Sequence, residues 1–246
     1  MIGAGSYAEA RTALRLAERL AGTLATDLGG MLVEETIWAD LAGLPKQRVI
    51  TSSGTFIVAP SRRQIKTVAE SDAKAFRQTL SALAPQENWS FERRRGELIS
   101  GLCEAAKGWD LLLLGYRETH RLVGQIVLIE PPADAEQEAR VLADDLAHAL
   151  GTGTLAMTLG SAPQGGGVGP PDTEHFSSED LLLARIARLH ASAVVLDLSA
   201  GPLRTYDQLR RLFAAARCPI VVVGAGRGEP SLEHSSQIPP APEAAT

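Results

Sequence analysis

At 246 residues the chain has room for one large domain or two small ones, and enough length to bury a core without disulfide or metal staples. Its 45% hydrophobic and 22% charged residues are the composition of an ordinary folded protein, which excludes a disordered or fibrous chain. A net charge of −5 argues against nucleic acid as the main partner, and no apolar run approaches the roughly 20 residues of a membrane span.

The first five residues, MIGAG, leave space only for a stub of strand. Ser6 then opens a helix, and Glu9 three residues on completes a capping box. Ala13, Leu14, Leu16, Ala17, Leu20, Ala21 and Leu24 form its apolar stripe. Gly29 and Gly30 end the approach to a strand over Met31–Glu35. Residues 36–63 are irregular, except that RVI and TFIV flank Ser-Ser-Gly as a small hairpin. A helix follows from Gln64 to Leu83 and stops before Pro85. Trp89–Arg95 alternates in the manner of a half-exposed edge strand. Glu97–Lys107 reads as a short helix with Leu98, Ile99, Leu102, Cys103 and Ala106 inward, stopped by Gly108. Asp110–Gly115 is a fully apolar strand of the buried parallel type.

Where another helix should follow, Gln125–Glu130 arrives as a strand. Asp134 with Gln137 caps the next helix, whose inward face is Ala139, Leu142, Leu146, Ala149 and Leu150. Thr152–Leu159 is a strand, and residues 160–174 are a Gly- and Pro-rich loop. Ser177 opens a helix with Leu181, Leu182, Ile186 and Leu189 inward. Ala193–Leu198 is a buried strand. Thr205 and Gln208 make a further capping box, and Cys218–Val223 is the last strand. Residues 226–246 read as a disordered tail.

The chain repeats itself. Residues 6–34 and 132–159 share one pattern, a capped Ala/Leu helix, a glycine turn and an apolar strand, and DLLLLG at 110–115 matches AVVLDLS at 193–199. A period of about half the chain implies two related halves. The first, 1–123, lacks a final helix–strand pair, and the second, 124–225, has a shortened middle. Alternating helices and strands imply α/β architecture, with doubly wound parallel sheet and right-handed crossovers.

Three segments carry a family resemblance: AGSYAEARTALRLAERLAGTLATDLGGMLVEE, ELISGLCEAAKGWDLLLLGYR and YDQLRRLFAAARCPIVVVG. They resemble the opening, the third helix with fourth strand, and the Cys-Pro ending of the universal stress protein (UspA) family. The resemblance implies an adenine-nucleotide α-hydrolase-like fold in two shortened tandem copies, a homodimer, and ATP as the candidate cofactor. The family's ATP signature is a Gly-x-x-Gly after the fourth strand, then a Gly followed by Ser or Thr. Here Gly115 and Arg117 fit, but Glu118 replaces the second glycine and no Gly-Ser follows. In the second copy Asp197–Gly201 stands at the same place without the signature, and Ala4 and Glu130 stand where the family has its first-strand Asp. The ATP site is therefore expected to be degenerate.

The site candidates are few. Gly115, Tyr116 and Arg117 lie at a strand's carboxyl end, where open α/β sheets place ligands. Gly5 and Ser6 open a helix whose amides can receive an anion, or serve simply as its cap. Arg62, Arg63 and Lys66 with Arg93–Arg95 suggest a basic patch or a charge-guarded edge. The histidines and cysteines show no metal-ligand spacing, and no nucleophile motif is present, so no catalytic or metal residue is assigned. Cys103 and Cys218 read as buried thiols, which with the lack of a visible leader points to the cytoplasm.

The functional expectation is a non-enzymatic, stress-associated regulatory protein that binds a protein partner. The alternative is a nucleotide or small-anion binder using Gly5, Ser6, Gly115 and Arg117. Self-association is expected through edge-strand pairing or helix packing at Cys218–Val223.

Overall fold

The computed structural model describes residues 1–24, 27–35, 48–50, 56–58, 61–84, 88–117, 124–132, 135, 137–160 and 173–227. The elements up to residue 123 are β1 (Ile2–Ala4), α1 (Tyr7–Leu24), β2 (Asp27–Glu35), β3 (Arg48–Ile50), β4 (Phe56–Val58), α2 (Arg62–Leu83), β5 (Asn88–Gly96), α3 (Leu98–Ala105) and β6 (Leu111–Leu114). Then come β7 (Gln125–Ile129), α4 (Glu138–Leu150), β8 (Thr154–Leu159), β9 (Thr173–Phe176), α5 (Glu179–Ile186), β10 (Ala191–Asp197), α6 (Tyr206–Ala216), β11 (Ile220–Val223) and a short 3-10 turn over Ala225–Arg227.

Nine strands form one sheet in the order β5-β2-β1-β6-β11-β10-β7-β8-β9, and β3 with β4 form the separate hairpin. Every neighbouring pair in the large sheet is parallel except β6 with β11, where Leu112 lies opposite Val222. Leaving the hairpin aside, β5-β2-β1-β6 reads third, second, first and fourth strand of its stretch, and β9-β8-β7-β10 reads the same from the opposite edge. β11 lies between these two flanks.

Alternation along the strands splits the core in two. Ile2, Leu32, Leu113, Ile126, Leu128, Val195 and Val221 face α1, α2 and α4. Met31, Leu112, Leu114, Val127, Ile129, Val194, Leu196 and Val222 face α3, α5 and α6. The fold is therefore α/β, with a mostly parallel sheet covered on both faces.

Several expectations are corrected. The last strand is the middle of the sheet, hydrogen-bonded to β10 and β6, and Cys218 through Val223 are at most 4% exposed where burial is given. Self-association through Cys218–Val223 is thus closed off by the chain's own β6. Thr173 and Glu174, expected in the loop over 160–174, belong to β9, and residues 161–172 lie outside the described residues. β2 starts at Asp27 and runs through Gly29 and Gly30, because the Trp109 ring occupies the place of a side chain at Gly29 and Leu80 does so at Gly30. Leu181 is 55% exposed, since α5 turns Leu182, Leu183 and Ile186 inward instead, and Ala149 is exposed in the last turn of α4. Gln137 is the N-cap of α4 without a side-chain capping bond; Asp134, Glu118 and the tail beyond Arg227 lie outside the described residues.

Candidate functional site

Open α/β sheets bind ligands beyond the carboxyl ends of strands where the order reverses. Here that point occurs twice, between β1 and β6 and between β7 and β10. Because β6 and β11 are antiparallel, the two crevices open at opposite ends of the sheet.

At the first crevice Gly5, Ser6 and Gly115 converge on the first turn of α1, while Arg117 is exposed beyond it. Three of the backbone amides that would meet an anion already have partners. Gly5 N–H donates to Glu9 Oε2 at 2.9 Å, Tyr7 N–H to Asp72 Oδ2 at 3.2 Å, and Glu9 N–H to Ser6 Oγ at 3.3 Å. Two of those acceptors are carboxylates, which also complement the positive end of the helix. Burial raises the Glu9 carboxyl pKa, against the opposing pull of the Gly5 amide and the Ser6 hydroxyl and amide.

The chain leaving β6 is stitched to the same turn. Gly115 N–H donates to Gly3 O at 2.9 Å. A Cβ on Gly115 would stand 2.4 Å from Glu9 O, so only glycine lets α1 approach this closely. Tyr116 N–H donates to Thr12 Oγ1 at 3.0 Å. The Thr12 hydroxyl lies 2.8 Å from Tyr116 O and 2.9 Å from Glu9 O. The Tyr116 ring then meets Phe213 of α6 edge-on at 6.4 Å.

The second crevice is organised by a different carboxylate. Asp197, 4% exposed, is the buried charged side chain among the described residues. Its Oδ1 accepts from Ser199 N–H at 2.7 Å, Ser199 Oγ at 2.7 Å and Ala200 N–H at 3.0 Å, an Asx-type closure of the loop after β10. Gly224 sits at φ 65°, and a Cβ there would meet Ser199 Oγ at 2.7 Å. Glu130, at the end of β7, is ion-paired with Arg140 in the first turn of α4. In the sequence Asp197 stands only where the family signature is missing. The signal for its role was there, in an Asp that ends an apolar run two residues before a Ser.

The expected basic patch is partly assembled. Lys66 and Arg93–Arg95 line a recess of about 270 Å³ together with Glu34 and Glu70, and none of Gly5, Ser6, Gly115, Arg117 or Asp197 takes part in it. Arg62 and Arg63 are exposed at the start of α2 and do not line it. Cys103 and Cys218 are buried free thiols, and burial pushes both pKa values up to about 12. Among the described residues no group of acidic, His and Cys side chains could hold a metal, and no helix is long and apolar enough to cross a membrane.

No family model matches the chain, and no curated protein matches it. Among solved structures, a universal stress protein from Archaeoglobus fulgidus DSM 4304 is similar at 10% identity and a TM-score of 0.48, over 89% of this chain and 95% of that one. A candidate universal stress protein from Pseudomonas aeruginosa UCBPP-PA14 is similar at 12% identity and a TM-score of 0.45, over 90% and 91%. A functionally unknown protein, PA1789 from Pseudomonas aeruginosa PAO1, is similar at 11% identity and a TM-score of 0.41, over 85% and 86%.

Proposed function

We propose that this is a universal-stress-protein-like, non-enzymatic regulatory protein of the cytoplasm, built from two shortened copies around one shared last strand. It acts by binding a protein partner, and its nucleotide site is degenerate. The stress-protein reading rests on the three sequence segments that resemble that family. The loss of nucleotide rests on one observation above all: the positions a triphosphate would use are held by the protein's own carboxylates. Glu9 and Asp72 take the amides at the start of α1, and Asp197 takes those after β10.

The residues present do not fit ATP. A phosphate at Gly5 and Ser6 would have to displace Glu9, and like charge opposes its approach even before displacement. Gly115, the one signature glycine present, is spent on helix packing. Arg117 is exposed, beyond a helix start where the Gly5, Tyr7 and Glu9 amides are already taken.

Calorimetric titration of nucleotide-stripped protein with ATP and Mg²⁺ tests this reading. The expected result is no heat of binding at several temperatures. A dissociation constant below about 100 μM, roughly −5.5 kcal/mol, would overturn it in favour of a nucleotide-binding protein.

A further inference from the structure

We propose that the outer edge of β5 takes an extended acidic segment of a partner protein as an additional strand. The inference deepens the partner-binding reading and rests on it.

The edge has the length and regularity that strand addition needs. β5 pairs with β2 in an unbroken parallel register from Asn88 to Gly96, and among the described residues nothing pairs with its other side. Folded proteins usually protect such an edge by keeping it short, by a bulge or by a proline. β5 has none of these: it spans nine residues without a register shift or a proline. The opposite edge, β9, is only four residues long. Among the described residues, charge is the guard on β5.

That charge is selective rather than merely repulsive. Arg93, Arg94 and Arg95 follow one another, with Glu92 the single acidic residue of the strand. Arg93 and Arg95 share one carboxylate, Glu34, whose salt bridge to Arg95 is 3.5 Å long. Arg95 is 79% exposed, and Arg94, paired with Glu92 at 2.9 Å, is 43% exposed. Lys66 of α2 lines the same recess, 3.8 Å from Glu70, so that Lys66 and the three arginines face the two carboxylates of Glu34 and Glu70 there. A second copy of this chain laid along the edge would bring arginines into one another's field. An acidic strand would instead place carboxylates beside guanidiniums that have spare donors while its backbone completes the ladder. The whole chain carries −5, so this edge is a local exception that orients an acidic partner.

The test uses the full chain and a fluorescent peptide of alternating Glu and Thr, about as long as β5. A Lys–Thr peptide and a single-stranded oligonucleotide of similar length serve as comparisons. The Glu–Thr peptide is expected to bind in preference to both, more weakly at high salt, and to slow hydrogen exchange at β5 amides. An Arg94→Glu/Arg95→Glu variant should bind at least about tenfold more weakly. An Arg94→Gln/Arg95→Gln variant should fall in between, which guards against a reversal that disturbs folding. Equal binding of the two peptides, equal binding of the oligonucleotide, binding without slower exchange in β5, or unchanged binding by both variants would overturn the proposal. These failures concern the β5 edge alone: a chain that captures some protein partner but not the Glu–Thr peptide keeps the partner-binding reading and loses this proposal, whereas a chain that captures no protein partner loses the reading itself.

Discussion

Gly115 and Glu9 show how single residues decide what the first crevice can hold. The carboxylate of Glu9 occupies the amide of Gly5, and the backbone of Glu9 lies against Gly115. Adding one methyl group at residue 115 leaves its neighbour no flexible side chain to move, because the clash is with backbone. Gly115→Ala is therefore expected to destabilise the fold by about 1–3 kcal/mol, the usual cost of overpacking. Urea denaturation checks this, and an unchanged midpoint would mean that α1 does not approach β6 as closely as described. The motif glycine was legible in the sequence, but its use was not. A Gly after an apolar strand looks the same whether a phosphate or a helix comes close to it.

At the scale of elements, the two flanks are tied across one face by α3 and α6. Glu97, the N-cap of α3, accepts from Ile99 N–H at 3.2 Å and Ser100 N–H at 2.7 Å, and from Arg210 of α6 at 3.1 Å. Burial works against the charge on Glu97, but Arg210 and the Ser100 and Ile99 donors outweigh it and hold the carboxyl at about 2. A carboxyl lowered on folding contributes stability that is present above its unfolded value of 4.5 and lost as the pH falls toward 2. Arg210→Ala should thus move the acid-unfolding midpoint upward, with a loss near neutrality of about 1 kcal/mol or less, because the pair is partly exposed. An acid titration followed by circular dichroism checks this, and an unmoved midpoint would remove Arg210 from the account.

Most helices were legible in the sequence, because each carries its stripe and often its cap. The box at Thr205 with Gln208 forms as its spacing predicts, whereas at Ser6 the hydroxyl accepts from Glu9 N–H but the Glu9 carboxylate takes Gly5 N–H; a further box, Ser61 with Gln64, starts α2 at Arg62, two residues before the expected Gln64. β9 was not legible. Its TEHF has no apolar run, because Thr173 and His175 lie on the sheet face that α2 covers in the other flank. Beside them, Thr154 and Ala156 of β8 stand in register with the buried Ile126 and Leu128. Small and polar residues there suit strands with no counterpart of α2 among the described residues, and they erase the hydrophobic signal.

For the whole molecule, β11 is the feature on which both flanks depend. It pairs with the fourth strand of each, parallel to β10 and antiparallel to β6, and its four residues are buried. This placement could not be read from the chain, because an apolar strand carries no mark of its direction relative to a distant neighbour. One shared strand predicts one cooperative unfolding transition rather than two. All three tryptophans, Trp38, Trp89 and Trp109, fall in the first 123 residues, so fluorescence follows the first flank while circular dichroism follows both. The two signals should change together in urea. Separate midpoints would mean that the flanks fold independently.

The central claim, that the protein's own carboxylates hold both crevices, is tested most directly by amide chemical shifts. Labelled protein would be titrated with ATP and Mg²⁺ while the resonances of Gly5, Ser6, Gly115, Ser199 and Ala200 are followed. The account predicts that none of them moves in a saturable way. Saturable shifts at either crevice would contradict it, and would show which carboxylate gives way to the nucleotide.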